Sequence, residues 1–126
     1  MSPGEKALAR HLRAAGIEYT QEFRFAAESV GGPGEGVRER LATYGLKDWR
    51  SDFLIPQIDL LVEIEGGGWL KKGRHTTGEG FEEDMRKYDA AMRIGYNVYR
   101  CSPEMVKNKM AIKTIQILIR SNSNGG

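Results

Sequence analysis

A chain of 126 residues and 14.1 kDa has room for one hydrophobic core, so we expect a single domain over residues 1–120 and a flexible tail over 121–126. Its 40% hydrophobic and 29% charged content excludes a disordered chain. Apolar runs such as Ile58 to Val62 and Ile115 to Ile119 stop well short of the ~20 residues of a membrane span.

The lone cysteine, Cys101, excludes an intramolecular disulfide and any cysteine-built zinc site, and is expected as a small buried hydrophobe. Met1-Ser2-Pro3-Gly4-Glu5 has no apolar signal-peptide core, which predicts a cytoplasmic protein. The net charge of +2 is small but uneven. Residues 1–65 hold 8 Lys and Arg against 11 Asp and Glu, a balance of −3, whereas residues 66–126 hold 11 against 6, a balance of +5. The basic half is a candidate polyanion-facing surface; a solvated face with no partner has the same composition.

The expected elements follow in chain order. Ala7, Leu8, Leu12 and Ala15 recur at helical spacing over Glu5 to Ala15, behind Ser2-Pro3 and before a Gly16 stop. The alternation around Phe23-Arg24-Phe25 predicts a strand within Ile17 to Ala27. Gly31 to Gly36 is a loop and Val37 to Tyr44 a short helix. Ser51 to Ile55 and Ile58 to Glu65 are strands that can form a hairpin across Pro56-Gln57. Gly66-Gly67-Gly68 opens a polar loop that reaches about Gly78. Glu79 to Ile94 is a helix with Phe81, Met85, Tyr88, Ala91 and Met92 on one face. Tyr96 to Cys101 is a core strand, and a final helix runs from Ser102-Pro103 to about Arg120. The sum is an α/β chain with a small mixed central β-sheet flanked by helices.

The chemistry is expected at three acids on neighbouring strands. Side chains two apart on a strand share a face, so Glu63 and Glu65 project together, and a hairpin sets Asp52 across from them. Converging carboxylates repel one another unless a cation joins them. A hard divalent ion such as Mg²⁺ takes oxygen ligands and keeps waters for a phosphate to displace. Two such ions about 4 Å apart stabilise both the attacking and the leaving oxygen of a phosphodiester. The alternative is a solvent-facing Glu-x-Glu paired with surface cations.

Asp52-Phe53-Leu54-Ile55-Pro56 and Leu61-Val62-Glu63-Ile64-Glu65-Gly66-Gly67 resemble the catalytic core of the PD-(D/E)XK nuclease superfamily. The resemblance continues through Gly73-Arg74-His75, Gly78-Glu79-Gly80-Phe81, Asp84, Lys87-Tyr88 and Gly95-Tyr96-Asn97-Val98-Tyr99-Arg100. That run is similar to small bacterial and phage nucleases related to very-short-patch repair endonucleases and Holliday-junction resolvases. It covers about residues 50–100 tightly and extends loosely to Glu5, which matches the helix-borne acid of the resolvases. The resemblance implies a restriction-endonuclease-like core and a Mg²⁺-dependent endodeoxyribonuclease, with Mn²⁺ as a substitute ion. Asp52, Glu63 and Glu65 are then the metal ligands, and Glu5 assists from the first helix. Lys71, Lys72, Arg74 and His75 face DNA phosphate, with His75 also placed to assist the leaving group.

The family motif carries Lys two residues after its Glu, where this chain has Glu65. Lys87 is the candidate to supply that cation; the alternative is an exposed lysine paired with Glu83 one turn back. Met105, Ile112, Ile115 and Ile119 form the packing stripe of the last helix. Val106, Met110, Ile117 and Leu118 extend the apolar surface, which suggests a homodimer. Two sites related by a two-fold axis suit symmetric incision of a four-way DNA junction. A nicking repair or restriction-like endonuclease is the alternative within nucleases. A catalytically silent DNA-binding module on the same fold is the alternative outside them.

Overall fold

The first turn of the chain closes on itself. Ser2 Oγ accepts from the Glu5 N–H at 3.2 Å, and the Ser2 N–H donates to Glu5 Oε1 at 2.9 Å. This reciprocal cap, with Pro3 in the first turn, starts helix α1 at Pro3–Ala14. In the computed structural model, which describes residues 1–66 and 78–125, α1 is followed by β1 (Thr20–Phe23), α2 (Phe25–Ser29), α3 (Val37–Thr43) and β2 (Ser51–Ile55). A 3₁₀ turn at Pro56–Ile58 then leads to β3 (Leu60–Ile64), α4 (Gly78–Ile94), β4 (Asn97–Cys101), α5 (Pro103–Lys107) and α6 (Met110–Gly125). Among the described residues no helix is long and apolar enough to cross a membrane.

The four strands form one mixed sheet in the order β1-β2-β3-β4. β2 and β3 are the expected antiparallel hairpin, with Phe53 opposite Val62 and Leu54 opposite Leu61. β4 returns parallel to β3, with Glu63 opposite Arg100 and Ile64 opposite Cys101. Strand alternation sends Phe53, Ile55, Leu60 and Val62 to one face, where they pack with Leu8 and Leu12 of α1, Val106 of α5 and Ile115 of α6. Leu54 and Leu61 face the other way and pack with Phe25, Leu41 and Ala91 of α2, α3 and α4. Helices therefore cover both faces of the sheet.

Four expectations are corrected. β1 ends at Phe23 because Phe25, Ala26 and Ala27 turn inward as the buried side of α2. The final helix is two helices: Lys109 takes a left-handed φ of 68°, and Asn108 Oδ1 accepts from the Met110 N–H to start α6. On α4 it is Ala90 and Ala91 that pack against the sheet, whereas Phe81, Met85 and Met92 are 51%, 61% and 56% exposed. The small residues let the helix approach closely. α6 also continues past Arg120, to Gly125.

Two contacts seat the end of β3 where the candidate acids lie. The Glu65 N–H donates to the Cys101 carbonyl at 2.7 Å. Gly66 abuts the ring of Pro103, so that a Cβ there would overlap the ring Cγ and Cδ. Gly66→Ala is therefore expected to destabilise the fold by about 1–3 kcal/mol through overpacking. Pro103→Ala removes the obstructing ring atoms, and chemical denaturation of the two single variants and the double variant will show the Gly66→Ala penalty largely relieved in the Pro103→Ala background.

Candidate active site

Asp52 and Glu63 are locked together through the backbone of the hairpin. The Asp52 N–H donates to Glu63 Oε2 at 2.9 Å, and the Ile64 N–H donates to Asp52 Oδ2 at 2.8 Å. Each carboxylate is thus held by an amide of the other's strand, which fixes both side chains to the sheet. Glu63 is only 7% exposed. A buried carboxylate needs a compensating charge, and α4 provides it: Lys87 Nζ donates to Glu63 Oε1 at 2.6 Å, with the lysine side chain 18% exposed. Glu83, one turn back on α4, pairs instead with Lys47 at 2.9 Å and with the Trp49 indole N–H at 2.9 Å. Burial raises the Glu63 pKa, and the opposing attraction of Lys87 does not fully offset it.

Glu65 lies in a different arrangement from the one expected. Arg100 on β4 grips it with two N–H groups, Nε on Oε2 and Nη2 on Oε1, the latter at 2.8 Å. The Tyr88 hydroxyl donates to Glu65 Oε2 at 3.0 Å, and the Arg100 guanidinium lies 4.7 Å from the centre of the Tyr88 ring. Desolvation works against the Glu65 charge, but the hydrogen bonds from Arg100 and Tyr88 prevail and hold its pKa below the usual carboxylate range. Burial and the charges of Glu63 and Glu65 push the Tyr88 phenol up, so it stays a donor. Glu65 shares a face with Glu63, as strand periodicity predicts. Its oxygens, however, are engaged by a cation and a hydroxyl rather than turned toward Asp52.

The carboxylates that do gather with Asp52 are Glu5 and Glu22: one oxygen from each of the three lies within 4.8 Å of the others. Glu5 comes from the capped first turn of α1. Glu22 comes from β1, where pairing of Gln21 with Phe53 and Phe23 with Ser51 sets it level with Asp52. It does so with a φ of 52°, a left-handed conformation that costs a side-chain-bearing residue about 1–3 kcal/mol. Glu22 has no counterpart among the acids singled out from sequence. The signal for it was the antiparallel register itself, which becomes readable only once β1 is paired with β2.

The structure thus divides the expected set. Glu5 and Asp52 come together with Glu22, Glu63 holds Lys87, and Glu65 holds Arg100 and Tyr88. Lys71, Lys72, Arg74 and His75, the residues expected to face phosphate, lie outside the described residues. An oxygen-only donor set of three clustered carboxylates fits a hard divalent cation and no soft metal. Cys101, 4% exposed, is not part of it: burial, with the charges of Asp52 and Glu65, pushes its thiol up to about 11, which leaves it unreactive. No protein-family model, curated protein or solved structure matches the chain.

The Lys87–Glu63 pair sets a signed pH dependence. Lys87→Met keeps the stem and removes the charge, leaving Glu63 buried with its pKa raised further. A raised carboxyl pKa in the folded state means that stability falls as pH rises from the unfolded value through the folded one. In metal-free protein, Lys87→Met is expected to lose about 2 kcal/mol at pH 7–8, less than the ~3–5 kcal/mol of breaking a fully buried pair because both groups retain some solvent. The deficit should shrink toward pH 4.5 as Glu63 takes up its proton, which thermal melts across that range will measure.

Proposed function

We propose that the protein is a metal-dependent endodeoxyribonuclease with a restriction-endonuclease-like core, acting on branched DNA as a Holliday-junction resolvase. The observation that carries this reading is the 2.6 Å contact of Lys87 with a Glu63 that is itself bonded to the Asp52 amide. It joins a strand-borne Asp, a strand-borne Glu and a lysine in one connected unit. The superfamily motif places its lysine on the strand, at the position of Glu65. Here Glu65 is bound to Arg100 and the cation beside Glu63 comes from α4, which supports a relocated lysine.

Asp52, Glu5 and Glu22 would hold Mg²⁺, or Mn²⁺ in its place. Bound there, the ion would offset charge on the scissile phosphate and favour ionised water at neutral pH. Glu63 positions Lys87 and keeps its ammonium at the edge of the acid group, where it faces the non-bridging phosphate oxygens. Asp52 is anchored through Oδ2 by the Ile64 amide, which fixes it beside Glu5 and Glu22. Glu65 is a positioning residue that fixes Arg100 and Tyr88 rather than a third metal ligand. Lys71, Lys72, Arg74 and His75 remain the proposed phosphate contacts of the following segment.

Met110 and Ile117, 48% and 51% exposed on α6, supply the proposed homodimer face. A two-fold dimer presents two such sites to the two strands that a resolvase must cut.

Labelled four-way junction and linear duplex of the same sequence, incubated with the protein in Mg²⁺ or EDTA, test the reading. Paired symmetric cuts confined to the junction are expected, lost in EDTA. Asp52→Asn, Glu63→Gln and Lys87→Met should each lower the rate by about 10²–10⁴-fold, the range for removing a charge-stabilising or proton-transferring group. Glu65→Gln should reduce it less. Equal cutting of linear duplex replaces the resolvase by a nicking or restriction-like endonuclease. DNA binding without cleavage, indifferent to Mg²⁺ and to Asp52→Asn, replaces the enzyme by a silent binding module.

A further inference from the structure

On the α1–α5 side of the sheet, away from α4, a cavity of about 270 Å³ opens between α1 and α5. Gly4 and Pro103 line it at the N-terminal ends of the two helices, and Arg10, His11 and Lys107 line it further along. Gly4 leads directly to the acid group. It precedes Glu5, and a Cβ at its position would stand 3.3 Å from Ile64 Cγ2, at the end of the strand that carries Glu63. The cavity and the acid group thus meet at the first turn of α1, which supplies Gly4 to one and Glu5 to the other.

The lining combines the apolar Pro3, Ala7, Pro103 and Val106 with the cations Arg10 and Lys107. Arg10 and Lys107 are exposed, and the charge of Lys109 reaches His11. Among the described residues none of Arg10, Lys107 and Lys109 has an ion-pair partner. By contrast Arg24, Lys47 and Arg93, on other elements, are paired with Asp48, Glu83 and Asp89. The one carboxylate of α5, Glu104, does not line the cavity. The positive field registers on His11, whose pKa is lowered by burial and by the charges of Lys109 and Arg10. Its buried Nδ1 has no hydrogen-bond partner. The volume lies below the ~300–1,000 Å³ of sites that enclose a whole small-molecule ligand, so it suits a single anionic group on a larger body.

We propose that this cavity is a second anion site, which takes a backbone phosphate of the bound DNA a few nucleotides from the acid group, gripped by Arg10 and Lys107 with Lys109 at its rim. The inference rests on the nuclease reading for its ligand. An acidic centre repels a polyanion, and cations at this cavity offset that repulsion and set the strand's path. These contacts read the phosphate backbone, not the bases.

The test measures binding of a labelled four-way junction by anisotropy over a NaCl series, in Mg²⁺, in the Asp52→Asn background so that the DNA stays intact. Arg10→Gln/Lys107→Gln is compared with Arg38→Gln/Lys47→Gln, which removes the same charge from the other side of the sheet. Loss of two phosphate contacts should lower the slope of log K against log salt by about 2, from ~0.9 per contact, and weaken binding about tenfold or more at 100 mM salt. Unchanged slope and affinity, or an equal loss in the Arg38→Gln/Lys47→Gln control, overturns the site. A reduced slope in a protein whose Asp52 form cuts no DNA keeps the anion site and overturns the nuclease reading. Absence of DNA binding in every form overturns both.

Discussion

The burial of one carboxylate organises the functional end of this molecule. Glu63 sits in the middle of a four-stranded sheet with almost no access to water, and desolvation of an ionised carboxylate is far more costly than any packing gain from its two methylenes. Three groups compensate: the Asp52 amide across the hairpin, Lys87 from α4, and a longer approach of the Tyr88 hydroxyl. The first comes from β2 and the other two from α4, so satisfying Glu63 fixes the hairpin register and the rotation of α4 about its axis. Rotating α4 by one residue would carry Lys87 about 100° away from the strand and leave the acid unpaired. The alanines that seat this helix have no bulk to resist such a rotation, so the ion pair supplies the specificity that the packing lacks.

The same economy explains why a glutamate is tolerated at position 65. A lysine there would stand between Arg100 and Lys87, three cations around one buried acid. With Glu65 the face carries two acids and two cations, arranged as Glu63 with Lys87 and Glu65 with Arg100. The cation beside Glu63 is then delivered on a helix rather than on the strand. A long lysine stem crossing from α4 reaches the carboxylate from outside the sheet, on the side from which a substrate would also approach. On the proposed nuclease reading, the departure from the motif is a relocation of charge and not its loss, which favours an active centre over a silent one. Two carboxylates gathered around Asp52, one of them in a strained backbone conformation, would be an unfavourable surface for a protein that only held DNA.

Much of this was legible in the residues. Strand alternation placed Glu63 and Glu65 on one face, Pro56 marked the hairpin turn, and Ser2, Ser102 and Gly16 marked helix ends. Lys87 was singled out as a replacement cation, with Glu83 as its competing partner; Trp49 and Lys47, remote in sequence, are what draw Glu83 away. The elements that were misread share a cause. Phe23 and Phe25 alternate like a strand, but Phe25 has a deeper place to go, and burial overrides a two-residue pattern. Ser102 through Arg120 has helical spacing throughout, yet Asn108 offers its side chain to the next helix's first amide and Lys109 turns left-handed. Glu5 was read for chemistry alone. Its spacing from Ser2 is also that of a capping box, and the two roles are compatible, because the cap uses Oε1 and leaves Oε2. Glu22 and the fate of Glu65 depend on which strands pair, a long-range fact that no local pattern encodes.

The charge layout also bears on how a small protein can handle a large polyanion. Its acid group lies where α1, β1 and β2 meet, at the end of the sheet marked by the Gly66–Pro103 contact. A duplex or junction approaching that group meets a negative field first, and a bound divalent ion cancels only part of it. The remaining attraction has to come from cations that are close enough to act within a Debye length of ~8–10 Å yet not drawn into ion pairs of their own. Arg24, Lys47, Arg50, Arg86, Lys87, Arg93 and Arg100 fail that condition, because each is engaged by a neighbouring carboxylate. Arg10 and Lys107, on the α1–α5 wall, are not drawn into such pairs among the described residues. Their placement on one side of the acid group makes the surface asymmetric, so a strand lying across it has a preferred direction. For the proposed nuclease, which would have to distinguish one strand polarity from the other without reading bases, the proposed off-centre pair of phosphate grips would be a sufficient device.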